Sequence, residues 1–403
     1  MRAGGVAGML RSTIAGCTVV IAVAALSHVG PSAQQRVEPG DPLPGMTPAE
    51  FEEFRLGLDD FLEVETAEEG LGPAYNATSC AGCHSIPAIG GIAPVTTVRA
   101  GIRDTNGAFR DFDPARGSLF QLFSIPTHGC QSVIPPEANV ISRRVPIPLF
   151  GAGLIEAISD TTILALADPN DADGDGVSGR AALITDRASG DVRVGRFGWK
   201  AQIATLLEFG GDAYRNEMGI TNDLFPEELT FNLTDMQLRV CDPIPEPEDI
   251  PELGTGRRGI DNFEAFMKFL APLPRGPMTA QVTAGEEIFR SIGCSACHVP
   301  TLTTGPDLNP LFDQRPVPLF SDLLLHDIGT GDGIRQASGE PEELRTPALW
   351  GLRFRRPLLH DGSAATVPEA VLRHANEADS AIARLSALSS GDAAALIAFL
   401  NSL

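Results

Sequence analysis

Cys80-Ala81-Gly82-Cys83-His84 and Cys294-Ser295-Ala296-Cys297-His298 each set two thiols three residues apart with an imidazole directly after, twice in one chain. At the Cys and His frequencies of this chain, roughly 0.002 such copies arise by chance. Thiols at this spacing serve zinc, dithiol exchange, short disulfides or thioether attachment of a porphyrin. A structural zinc site keeps its two C-x-x-C halves within roughly 15 to 20 residues; here 214 residues separate them. A thioredoxin-like pair belongs in a βαβ context, whereas both copies follow a helix-and-loop pattern, and neither it nor a disulfide uses the twin histidines. Covalent haem uses all three side chains. The thiols of Cys80 and Cys83, and of Cys294 and Cys297, would form thioethers with the two vinyl groups of one porphyrin, and His84 or His298 would reach its iron as proximal ligand. Two c-type haems are the expected cofactors.

The sixth iron position decides whether such a haem reacts or only conducts electrons. All seven methionines and both tyrosines precede Cys294, which leaves His326, His360 and His374 as local distal candidates, or an open position. For the first haem, His128 is the only histidine between the motifs, and Met218 is a second candidate.

The elements that must carry these groups follow from pattern. Thr47, with Pro48 at the first helical position and Glu50 at the third, predicts a capping box. Phe51, Phe54, Leu58, Phe61 and Leu62 then recur at helical spacing ahead of Cys80. A second helix, 284–290, runs into Gly293 and Cys294, and a last one, capped near Asp392, carries Leu396, Ile397, Phe399 and Leu400. The expected fold class is therefore mainly α: two cytochrome c-like helical domains around a long Gly/Pro-rich, partly irregular insert. One small hairpin is expected, 182–185 against 192–196, with its turn at Ser189-Gly190-Asp191. Cys241 to Glu252 is acidic and Pro-rich and reads as solvated linker. The expected domains are 1–33 signal peptide, 34–46 tether, 47–240 N-terminal haem domain with insert, 241–278 connector and 279–403 C-terminal cytochrome c domain.

The leader assignment rests on Arg2 and Arg11, an apolar run from Ile14 to Val29 and small residues at 31–33. It predicts an exported, periplasmic protein with no stable membrane span in the mature chain. The whole chain has 403 residues, 43% of them hydrophobic, and 52 acids against 30 bases for a charge of −22. That balance argues against nucleic acid and anionic membranes as partners and favours a basic one. With 42 Gly and 32 Pro the chain is loop-rich yet able to bury a core.

Several strings beyond the cysteine motifs resemble the di-haem oxidoreductase family, which is related to bacterial di-haem cytochrome c peroxidases and to MauG-type enzymes. They are Gly72-Pro73-Ala74-Tyr75-Asn76, Arg143-Arg144, Leu149-Phe150-Gly151, Gly195-Arg196-Phe197-Gly198-Trp199-Lys200, Glu217-Met218-Gly219, Leu325-His326-Asp327, Arg345-Thr346-Pro347 and His360-Asp361-Gly362. The resemblance runs from about residue 47 to 403. It implies an oxidoreductase that reduces hydrogen peroxide with electrons from a small donor such as a basic cytochrome c. A non-catalytic di-haem electron carrier is the alternative. Several peroxidase relatives place a distal Met beside the stretch matching Arg345-Thr346-Pro347, where this chain has Glu343-Leu344, and the MauG-type tyrosine is missing.

Peroxide cleavage needs a base whose pKa burial has raised. Glu156 and Glu217 are the candidates, each with a structural alternative as a partner of Arg143, Arg144 or Arg196. Trp199 is a candidate electron relay between haems, or else a core aromatic. Asp171, Asp173 and Asp175 alternate with Gly174 and Gly176 as in a calcium loop, although Ala182 stands where an EF-hand has its last Glu. Cys130 and Cys241 remain as a disulfide pair in an exported protein.

Overall fold

The capping box forms as expected. Thr47 Oγ1 accepts from the Glu50 amide, Glu50 returns a carboxylate to the Thr47 amide at 2.6 Å, and the helix Pro48–Leu62 follows. Only part of its apolar stripe is core: Phe54, Gly57 and Phe61 are buried, while Phe51 and Leu62 face solvent. The buried stripe meets the helix Gly259–Phe269, with the Phe266 ring 5.4 Å from Phe54 and 4.5 Å from Phe61. A side chain at Gly57 would sit 2.2 Å from the Asn262 carbonyl, so glycine is what permits the crossing. Phe266 is fully buried, and truncation to Ala would cost about 3–5 kcal/mol.

The computed structural model describes residues 37–403 except 115, 128, 231–232, 243–250 and 252. The expected leader and His128 lie outside the described residues. Val37–Leu403 forms one compact unit. The C-terminal part repeats the first arrangement: Ala280–Ser291 packs on Ser390–Leu400, and a side chain at Gly285 would sit 2.0 Å from the Ala395 carbonyl. Ser389, rather than Asp392, caps the last helix. Each cysteine motif therefore follows the first helix of a glycine-mediated pair. The partner helix of the first pair lies inside the stretch 241–278, and residue Leu43 of the tether ties to its end through the Phe269 carbonyl at 2.7 Å.

The expected mainly-α class is not what forms. About 30% of the chain is helical and 14% is strand, in several small sheets. The largest joins Thr97–Arg103 to Phe109–Arg110, Leu119–Phe120 and Val140–Arg144, all antiparallel. Thr97, Val98, Ile102, Val140 and Ile141 supply β-branched side chains, but most of these strands are too short to show alternation, and only the pairing with Phe109–Arg110 is local in sequence. The expected hairpin is present as Leu183–Thr185 against Val192–Val194. Cys130 and Cys241 are joined by a disulfide. Among the described residues, no helix is long and apolar enough to cross a membrane.

Candidate functional site: two cavities sharing a tryptophan

Each C-x-x-C-H forms a single turn that sets its histidine at a cavity wall. Cys80–Cys83 is one helical turn, with His84 at its end. Cys294–Ala296 is a 3-10 turn entered through Gly293 at φ 93°. His84 Nδ1 lies 2.8 Å from the Gly91 carbonyl and His298 Nδ1 lies 3.1 Å from the Phe320 carbonyl. A carbonyl at Nδ1 fixes the tautomer and turns Nε2 outward as a donor atom. Burial holds both imidazoles down at about 4, so both are neutral, as an iron ligand must be.

The first cavity, about 170 Å³, is lined by Cys80, Cys83, His84, Arg99, Arg144, Trp199, Glu217 and Met218 among others. The second, about 420 Å³, is lined by Cys294, Cys297, His298, His326, Arg345, Arg355, His360, His374 and again Trp199. Trp199 is buried, its Nε1 donates to the Val145 carbonyl at 2.9 Å, and the Arg355 guanidinium stacks 5.4 Å from its ring.

The polar atoms left unmatched around these cavities match what a haem would bring. Arg99 Nε, Arg144 Nη2, Arg355 Nε and His360 Nδ1 are buried without a hydrogen-bond partner, and each residue lines a cavity. Among the described residues Arg355 and Arg345 are buried with no carboxylate in hydrogen-bond contact, and the Arg345 guanidinium donates to the carbonyls of Gly198 and Thr346. Burial depresses both guanidinium pKa values to about 10. Buried cations of this kind call for anionic partners, and the haem propionates are carboxylates. The residues present therefore fit two haems, with Arg99 and Arg144 beside one and Arg345 and Arg355 beside the other. Sequence reasoning missed Arg99 and Arg355 as site residues; their signal was an arginine inside an otherwise apolar or Pro-flanked string.

The remaining candidates separate. Glu217 reaches the first cavity, where Asn76 Nδ2 donates to its carboxylate at 2.7 Å and burial raises its pKa against that bond. Glu156 reaches neither cavity; its carboxylate accepts from the Leu206 amide at 2.7 Å, and burial pushes it up to about 7. Among the described residues neither carboxylate forms an ion pair with Arg143, Arg144 or Arg196: Arg144 bonds Asp332 at 2.7 Å and Arg196 bonds Asp160, although Arg196 also donates to the Glu156 backbone carbonyl at 3.0 Å and its charge pulls the Glu156 pKa down against burial.

His326 is held between Asp322, 2.8 Å from Nε2, and Glu377, 2.7 Å from Nδ1, with Cys297 Sγ at 3.7 Å. Burial works against its protonation, but the hydrogen bonds to Asp322, Cys297 and Glu377 outweigh it and raise the pKa. Glu343, just ahead of Arg345-Thr346-Pro347, accepts from Arg180 Nε at 3.0 Å. Asp171, Asp173 and Asp175 bring carboxylate oxygens within 4.8 Å of one another, while also accepting from the amides of Gly176, Asp175 and Val177 as an ordinary acidic turn does.

The fold resembles several solved structures at low similarity. One is the hydrazine synthase of Kuenenia stuttgartiensis, at 16% identity over 96% of this chain and 100% of that one, with TM-score 0.42. Another is the diheme peroxidase BthA of Burkholderia thailandensis, at 16% identity, 91% and 89% coverage and TM-score 0.41. A third is a MauG-like protein associated with microbial copper homeostasis, at 15% identity, 64% and 90% coverage and TM-score 0.32. Comparison with curated proteins finds no match. The family model described as "Di-haem oxidoreductase, putative peroxidase" matches residues 127–403, which takes in the second C-x-x-C-H and the Glu217 segment. The chain belongs to the di-haem oxidoreductase family.

Proposed function

We propose that the protein is an exported peroxidase that reduces hydrogen peroxide at the cavity beside Cys80, Cys83 and His84. Two electrons and two protons convert one peroxide to two waters, the electrons coming from a small redox protein. Haem, held through the two cysteine pairs, would supply the redox chemistry at this cavity. The observation that carries the reading is Glu217: a half-buried carboxylate lining the first cavity, raised in pKa and held by Asn76. A carboxylate so placed takes a proton from bound peroxide and returns it to the leaving oxygen. Trp199, as a wall of both cavities, offers a protein-borne route for electrons between them.

The acidic surface suits a basic donor such as a cytochrome c, and attachment of c-type haem outside the cytoplasm supports a periplasmic location. The test mixes purified protein, oxidised and half-reduced, with peroxide while following absorbance and peroxide loss. Turnover together with a change in a high-spin ferric signal is expected. Two low-spin haems and no turnover in either state would leave a non-catalytic electron carrier.

A further inference from the structure

We infer that His374 is the second axial ligand of the haem attached at Cys294 and Cys297, so that this iron sits between two imidazoles, His298 and His374. The inference rests on the haem reading above and adds a ligand to it. Three observations lead to it. First, His374 repeats the arrangement of the two proximal histidines: its Nδ1 lies 2.9 Å from the Ala370 carbonyl, which turns Nε2 outward as a donor atom. Second, His374 lines the same cavity as His298.

Third, the other donors at that cavity are spoken for or misplaced. Both ring nitrogens of His326 are bonded to carboxylates. His360 lies at the Trp199 end, its ring 6.2 Å from the indole, among the charges of Arg144, Lys200 and Asp332. No methionine or tyrosine lines the cavity among the described residues. The first cavity has the opposite make-up, with His84 as its one described histidine, alongside Glu217 and Met218. A bis-imidazole haem is closed to peroxide and lower in potential than a His/Met haem, which suits it to relay electrons toward the first cavity.

The experiment counts covalent haem by pyridine haemochrome, then records low-temperature EPR and near-infrared magnetic circular dichroism of the oxidised full-length protein. Wild type, His326→Gln and His360→Ala are expected to keep a bis-imidazole low-spin signal. His374→Ala should lose it at unchanged haem content, and added imidazole should restore it in His374→Gly. His374→Met, which also serves if the smaller variants fail to fold, should stay low-spin with a higher reduction potential. Survival of the bis-imidazole signal in His374→Ala at full haem content, or an unchanged potential in His374→Met, overturns the ligand assignment and leaves the proposed function standing. A chain carrying no covalent haem overturns the proposed function, and the ligand assignment falls with it.

Discussion

Replacing Glu217 with Gln removes a proton-transfer group and little else. The side chain keeps its shape, and its amide oxygen can still accept from Asn76 Nδ2, now 2.7 Å from the carboxylate. The backbone carbonyl of residue 217, which receives the amides of Asn76 at 2.7 Å and Ala77 at 3.2 Å, is untouched, so the wall of the first cavity stays in place. What disappears is the base, and a positioned general base contributes about 10²–10⁴ in rate, or about 3–5 kcal/mol. Peroxide turnover should fall by that factor with covalent haem content unchanged. The pH profile gives a second readout. Burial raises the Glu217 pKa, so in wild type the rate rises with pH along a limb displaced above the ordinary glutamate value, as the carboxyl loses its proton. Glu217→Gln should lack that limb. Turnover within about threefold of wild type with the limb intact would refute the assignment.

Trp199→Phe should slow electron transfer between the haems in stopped-flow mixing while leaving both haem spectra in place; an unchanged transfer rate would remove Trp199 from the route. The lost Nε1 bond to Val145 should also cost about 1 kcal/mol of stability. Glu156 bears on stability alone. Burial raises its folded pKa from 4.5 to about 7, so its contribution is fully present below 4.5 and is lost as pH rises through about 7. Glu156→Gln should therefore stabilise the protein by about 1–3 kcal/mol near pH 8 and have little effect near pH 4, read from denaturant melts. An equal effect at both values would contradict this. With a basic cytochrome c as donor, the second-order rate should fall steeply as salt rises, given a charge of −22; a salt-independent rate would mean docking through another surface.

The chemistry of this chain was more legible than its architecture. C-x-x-C-H is a local code, because thiols and imidazole need only one turn of backbone to be presented together, and both copies adopt that turn. The capping box at Thr47 and the hairpin at 183–194 were equally local. The sheet around Thr97–Arg103 was not, since its partners lie up to 47 residues away and the strands at 109–110 and 119–120 hold two residues each. The helix 259–269 hid within a span read from its acidic, Pro-rich beginning, although Ile260, Phe263, Phe266 and Met267 show helical spacing. Distinguishing Glu217 from Glu156 required the cavities, because burial raises the pKa of both acids. His326 was singled out by its sequence context, yet only the positions of Asp322 and Glu377 show that both its nitrogens are occupied.

The central claim is that four cysteines serve as haem anchors. Pyridine haemochrome spectroscopy of the denatured, acetone-extracted protein, combined with intact mass, tests it most directly. Two haems per chain should survive extraction, with Cys80, Cys83, Cys294 and Cys297 unreactive toward thiol reagents. An extracted chain free of haem absorbance, with those four thiols available for alkylation, would contradict it.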